Sequence, residues 1–278
     1  DVHNNTSNCV QTITVQDVTN PSIVVPQNIT VNCQDDKTPS ANGTAQGEDN
    51  CSPVTITYSD VSTQHASNTN AGHYNYTITR TWTATDDCGN FSNCVQTITV
   101  QDVTAPVITC PANTTVNCQD DNSSAATGVA TATDNCAPVT ITESSVSTHN
   151  ADVNNAGHYN YTITRTWRAT DVSGNYTECV QTITVQDVTA PVAVCKNVTI
   201  TLANGTASIT PQMINGGSSH NCSPLILSVS WSTFSCADMG EHTVTLTVKD
   251  VTGNTSTCTA TVTVVGEIPT CSITSVPS

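Results

Sequence analysis

The sequence predicts an all-β chain: tandem immunoglobulin-like β-sandwich domains strung in an end-to-end array. Three observations carry this. The composition favours strands, several segments alternate with period two, and a long motif recurs at a fixed spacing. Thr and Val abound while Leu, Met, Lys, Arg and Glu are scarce. A β-branched side chain fits a pleated, half-buried surface and loses rotamer freedom in a helix.

The repeat sets the organisation. Cys-Val-Gln-Thr-Ile-Thr-Val-Gln-Asp-Val-Thr starts at Cys9, Cys94 and Cys179, each 85 residues from the last. Gly-His-Tyr-Asn-Tyr-Thr-Ile-Thr-Arg-Thr-Trp starts at Gly72 and Gly157, again 85 apart. A diverged copy of the first string begins at Cys258. Repeats 1, 2 and 3 are therefore expected over 18–102, 103–187 and 188–265. Residues 1–17 match the last strand of a preceding repeat, and 266–278 the start of a following one. The simple reading is a window on a longer array. A second is that the terminal strands complete domains in neighbouring chains.

Strand faces follow from alternation. Across Tyr74–Ala84 the even positions carry the large side chains and the odd ones Asn and Thr. One face is expected to meet a core and the other water. Arg80 and Arg165 then lie inward or at the rim, their stems beside Trp82 and Trp167. Repeat 3 places Val244, Leu246 and Val248 where repeat 1 has Arg80, Trp82 and Ala84. The last strand aligns Cys94, Gln96, Ile98 and Val100. An early strand aligns Ile29, Val31 and Cys33, and another Val54, Ile56 and Tyr58. Asp-Val-Thr-Ala-Pro joints separate the repeats, with proline limiting their flexibility.

The chain carries 14 Cys, 6 basic and 22 acidic residues, for a net charge of −16. Such a field repels phosphate backbones and anionic membranes, which excludes nucleic acid as a partner, and gathers cations. No apolar run approaches a membrane span. The chain opens Asp1-Val2-His3, so a secretion signal is expected upstream or already removed. This cysteine content points to an oxidising compartment.

Four cysteines per repeat admit three pairings. Repeat 2 has Cys110 near its start and Cys179 in its last strand, and repeat 3 has Cys195 and Cys258 in those places. Repeat 1 has Val25 at the early position and gains Cys88 beside Cys94. One cysteine vanishes where another enters, which predicts Cys110–Cys179, Cys195–Cys258 and Cys88–Cys94. The remainder give Cys33–Cys51, Cys118–Cys136 and Cys222–Cys236, with Cys9 and Cys271 left over. Converging Cys-x-x-Cys pairs are missing, so the cysteines do not read as a zinc site.

Arg80-Thr81-Trp82-Thr83-Ala84-Thr85-Asp86-Asp87-Cys88-Gly89-Asn90, followed by Gln96–Val100 and Asp102-Val103-Thr104-Ala105-Pro106, resembles the hyalin repeat (HYR) and HYR-like modules. Ala132-Thr133-Asp134-Asn135-Cys136 fits the same pattern. Repeats 1 and 2 carry the resemblance in full. Repeat 3 lacks Arg-Thr-Trp and reads Val248-Lys249-Asp250-Val251-Thr252-Gly253-Asn254. The resemblance implies immunoglobulin-like modules of large bacterial surface adhesins and some animal extracellular proteins. Adhesion or a structural role follows from it, not from the residues.

Catalysis is not expected. No Gly-x-Ser-x-Gly elbow is present, and His73 and His158 recur at one repeat position, as structural residues do. Asp35-Asp36 and Asp120-Asp121 read as solvated loop charge. No cofactor is required, and calcium is the one ion the residues invite. Ca²⁺ takes six to eight oxygens. Asp86, Asp87 and Asn90, Asp171 and Asn175, and Asp250 and Asn254 lie on equivalent loops, with Asp102 and Asp187 at the joints. Turn chemistry is the competing account, because Asp and Asn accept backbone N–H bonds in turns. Asn-x-Ser/Thr sequons fall at Asn28, Asn75, Asn113, Asn160, Asn175 and Asn254; Asn75 and Asn160, on the outward face, are the candidates for glycan. The function expected is an extracellular, cell-surface stalk or filament, non-enzymatic, its partners further copies of the repeat and a surface ligand. The alternative is a glycan- or protein-binding module of a secreted protein, which would expose an aromatic platform; Trp82, Trp167 and Trp231 instead take core-facing positions.

Overall fold

The computed structural model describes residues 2–4 and 6–266. It forms two compact units. Among the described residues, the first takes those within 1–108, 132–141 and 169–177, and the second those within 109–131, 142–168 and 178–278. Repeat 1 thus lies in the first unit and repeat 3 in the second, while repeat 2 contributes to both. The expected start of a following repeat lies outside the described residues, apart from Gly266, and so does Cys271.

In the first unit a four-stranded sheet runs in the order Ile29–Asn32, Phe91–Gln101, Tyr76–Asp86, Val54–Ser62. Ile29–Asn32 is parallel to its neighbour, and the other pairs are antiparallel. A second layer pairs Ser22–Val24 with Gln46–Glu48. The layers approach closely at Gly47, where an added Cβ would come within 2.9 Å of the Ile56 side chain. Only glycine allows that approach.

Alternation reads directly into burial. Ile78, Arg80, Trp82 and Ala84 are buried on one strand, and Gln96, Ile98 and Val100 on the next. Tyr58 is half exposed and packs its ring 5.4 Å from that of Trp82. Buried Arg80 needs a partner. It has Asp60 on the neighbouring strand, with Nε and Nη2 donating to the two carboxylate oxygens at 2.8 and 2.9 Å. Its head lies 4.8 Å over the Tyr58 ring. Gln96, fully buried, donates to the carbonyls of Gln27 and Asn42 at 2.9 and 2.8 Å.

Repeat 3, in the second unit, repeats the plan with the order Val198–Leu202, Thr255–Gly266, Gly240–Asp250, Leu225–Val229. Val244, Leu246 and Val248 are fully buried there. The apolar cluster is accordingly larger, with Ile200, Leu202, Ile214, Phe234 and Val262 among its members. Repeat 2 builds a sheet from Thr114–Asn117, Tyr176–Gln186, Tyr161–Asp171 and Val139–Ser147. Its Arg165 donates to the Thr127 hydroxyl and the Asn122 carbonyl. Short helical turns, such as Pro39–Asn42 and Pro211–Ile214, are the only departures from strand and loop among the described residues.

The cysteine pairing differs from the sequence expectation in an instructive way. Cys110–Cys179 and Cys195–Cys258 are bonded, tying the start of each repeat to its last strand. Cys33–Cys51, Cys118–Cys136 and Cys222–Cys236 are not formed. Cys33 is bonded to Cys136, and Cys118 to Cys222, with Cα–Cα separations of 6.1 and 6.2 Å. Strand direction is the reason. Asn32 is level with Gln101 at one end of the sheet, whereas Val54 is level with Asp86 at the other. An 11-residue strand separates those ends, about 30 Å. Cys33 and Cys51 therefore lie at opposite ends of one sheet, far beyond disulfide reach. Cys236 is disulfide-bonded, though not to Cys222.

Cys88–Cys94 is not formed either, and Cys9, Cys51, Cys88 and Cys94 are free thiols. Cys94 is level with Trp82 on the sheet. Cys88 sits in the turn beyond the strand, at the repeat position of Ser173 and Thr252, whose hydroxyls donate to Asp102 and Asp187.

Candidate functional site

The sheet ends carry the polar chemistry, and three loops of one design build it. Each follows the long strand that ends at Asp86, Asp171 or Asp250. The carboxylate folds back on its own loop. Asp171 Oδ1 accepts from the Asn175 backbone at 2.9 Å, and Oδ2 from the Asn175 side chain at 2.9 Å. Asp86 with Asn90 and Asp250 with Asn254 repeat this. The turn closes through Gly89, Gly174 and Gly253, at φ 90°, 94° and 106°, a region glycine enters without strain. The asparagine then donates outward, Asn90 to the Asp17 carbonyl, Asn175 to Asp102 and Asn254 to Asp187, at 3.3, 3.1 and 3.1 Å. Turn chemistry therefore accounts for these Asp–Asn pairs, and the same pairs fasten each loop to the segment that enters its repeat; Asp102 and Asp187 each follow a strand, whereas residues 6–20, expected to include a last strand, form none. Exposed Asp87 takes no part.

In the first unit, Asp102 and Asp171 are both buried and meet a third carboxylate, that of Asp134. One oxygen of each lies within 4.8 Å of the others. Asp134 uses Oδ1 to accept the Cys136 and Ala137 amides at 2.8 and 3.0 Å. Its Oδ2 is buried and has no hydrogen-bond partner. Burial, with the charges of Asp171 and Asp134, pushes the Asp102 carboxyl up, against hydrogen bonds from Ser173 and Thr104. The lysine and arginine ion pairs among the described residues go to Asp60, Glu143 and Glu178. Three converging carboxylates, one with an orphaned buried oxygen, fit a hard cation such as Ca²⁺. The Cys33–Cys136 disulfide adjoins Asp102.

In the second unit, Asp187 and Asp250 are buried in the same relation, but the third residue is His220. Its side chain is 1% exposed, and its Nε2 lies 3.6 Å from Asp187 Oδ1 and from Asp250 Oδ2. The Cys118–Cys222 disulfide adjoins Asp187. A third, less buried group joins Asp17, Asp49 and Cys51, where Asp17 Oδ2 and Asp49 Oδ1 are again buried without a partner.

Of the calcium candidates read from sequence, the structure brings Asp102, Asp171 and Asn175 together, and likewise Asp187, Asp250 and Asn254. Asp86 and Asn90 belong with Asp17, at the other end of repeat 1 from Asp102. Asp17, Asp49, Asp134 and His220 join these groups without having been among the candidates read from sequence. A signal existed: Asp49, Asp134 and His220 each stand two residues before a cysteine, in Asp-Asn-Cys or His-Asn-Cys. Glycan at Asn75 is disfavoured. Its Nδ2, the atom a glycan would take, donates to the Ala71 carbonyl and the Ser173 hydroxyl, while Oδ1 accepts from the Asp102 amide. Asn160 likewise accepts from the Asp187 amide.

No family model and no curated protein matches the chain. Solved structures that align with it include Drosophila N-cadherin EC1-4 and mouse Cadherin-23 EC22-24. The first is 15% identical with a TM-score of 0.30, covering 88% of this chain and 75% of that one. The second is 13% identical with a TM-score of 0.31, covering 89% and 99%. At these values no property is carried over.

Proposed function

We propose that this chain is a segment of an extracellular stalk or filament in which successive β-sandwich repeats are locked to one another covalently. The observation that carries the reading is the pairing of Cys33 with Cys136 and of Cys118 with Cys222, 103 and 104 residues apart. Each bond leaves one repeat and enters the next. Their job is therefore to hold a joint, where a disulfide inside a domain would staple its core. Asn175 and Asn254 add a polar contact at the same places. Disulfides of this kind belong to an oxidising, extracellular setting, and the hyalin-repeat resemblance supports the same surroundings. Among the described residues no helix is long and apolar enough to cross a membrane.

Calcium completes the reading at one joint. Asp102, Asp134 and Asp171 would hold the ion, which supplies positive charge to three crowded carboxylates and draws the loop and the strand end together. The burial of Trp82 and Trp167 counts against an aromatic binding platform. Electron microscopy of purified native material tests the proposal. Straight rods that become flexible after reduction, and partly so after chelation, are expected. Flexible, beaded chains in both the oxidised and the reduced state would contradict it.

A further inference from the structure

We propose that the joint between repeats 2 and 3 is closed by His220 in place of a metal ion, whereas the joint between repeats 1 and 2 takes a divalent cation. The inference rests on the calcium reading above and deepens it.

Asp134 and His220 perform the same local task. Asp134 Oδ1 accepts the amides of Cys136 and Ala137. His220 Nδ1 accepts those of Cys222 and Ser223, at 3.3 and 3.0 Å. Both close the turn before the joint cysteine. They differ in the atom that reaches the joint. Asp134 presents Oδ2, an acceptor with no donor. His220 has committed Nδ1 as an acceptor, so its ring proton sits on Nε2. That N–H donates to the Thr189 carbonyl at 2.9 Å, with Asp187 and Asp250 both 3.6 Å from the same nitrogen.

The two joints are therefore opposite in hydrogen-bonding sense. The first gathers acceptors and calls for an external positive centre. The second has two carboxylates and a built-in donor, buried to 1% exposure. A nitrogen that carries a proton has no lone pair for a metal. The asparagine bonds are the same in both. Asn254 and Thr252 hold Asp250, as Asn175 holds Asp171.

The test is calcium titration of the full chain by calorimetry, with thermal melting on the same samples. Asp134→Asn keeps the turn acceptor and removes the carboxylate, and is expected to lose one bound ion per chain. His220→Asp recreates the first joint at the second, and is expected to gain one ion and a melting temperature that rises with calcium. His220→Asn, which restores a turn acceptor and an N–H donor, is expected to bind as the parent does. Folding of His220→Asp is checked by circular dichroism in saturating calcium. If the parent takes up no calcium, the calcium reading falls, and this inference with it. If the parent loses its ion on Asp134→Asn while folded His220→Asp gains none, this inference alone is overturned. Loss of an ion in His220→Asn would also overturn it, because His220 would then be a ligand.

Discussion

Replacing Cys33 and Cys136 together by serine removes the joint disulfide without leaving a stray thiol. The bond closes a loop of 103 residues. The chain-entropy relation assigns about 4.7 kcal/mol to a loop of about that length, and measured effects run at about 2–4 kcal/mol. At about 3–5 °C per kcal/mol, between the values for smaller and larger domains, the first unit should melt about 6–20 °C lower than the parent. The serine hydroxyls restore little of this, because a hydrogen bond contributes only about 0.5–1.5 kcal/mol. Calorimetry under non-reducing conditions resolves the transition, and reducing agent should bring the parent toward the variant. An unchanged melting temperature in the double variant would refute the reasoning. It would mean that the bond ties together parts already held by other contacts, or that it does not form.

Three further outcomes follow from single groups. Asn175→Ala deletes the donor to both Asp171 and the Asp102 carbonyl; a loss of about 1–3 kcal/mol is expected in chemical denaturation. Gln96→Leu removes the donor to the carbonyls of Gln27 and of buried Asn42 and should cost about 1–3 kcal/mol, even though leucine suits the core. Burial works to raise the Asp250 pKa, but hydrogen bonds from Asn254, Thr252 and Gly253 outweigh it and hold the carboxyl below its usual range. Its folded value therefore lies under the unfolded value of about 3.9. The stabilisation it gives is complete above that unfolded value and is lost as pH falls through the lowered one. Melting temperature followed from pH 7 downward should fall less steeply below about pH 4 in Asp250→Asn than in the parent; parallel curves would show that Asp250 does not carry the effect.

The fold was legible because burial in a strand follows a period of two, and Ile78, Trp82, Ile98 and Val100 keep it without a break. The Asp–Asn loops were legible as turns for a similar local reason. The joint bonds were not. Cys51 and Cys136 occupy the same position in successive repeats, so sequence comparison cannot tell a bond from Cys33 to one from a bond to the other. What separates them is direction: Ile29–Asn32 runs parallel to Phe91–Gln101 and so ends at the far side of the sheet from Cys51. That pairing is a long-range fact with no local signature. Asp134 escaped notice because a lone aspartate before Asn-Cys looks like any turn residue. Its unpaired oxygen is visible only once Asp102 and Asp171 are beside it.

The most direct test of a covalently locked joint is peptide mapping of native material, digested without reduction and read by mass spectrometry. A linked pair joining the peptide of Cys33 to that of Cys136 is expected, and another joining Cys118 to Cys222. Peptides joining Cys33 to Cys51 and Cys118 to Cys136 would contradict it.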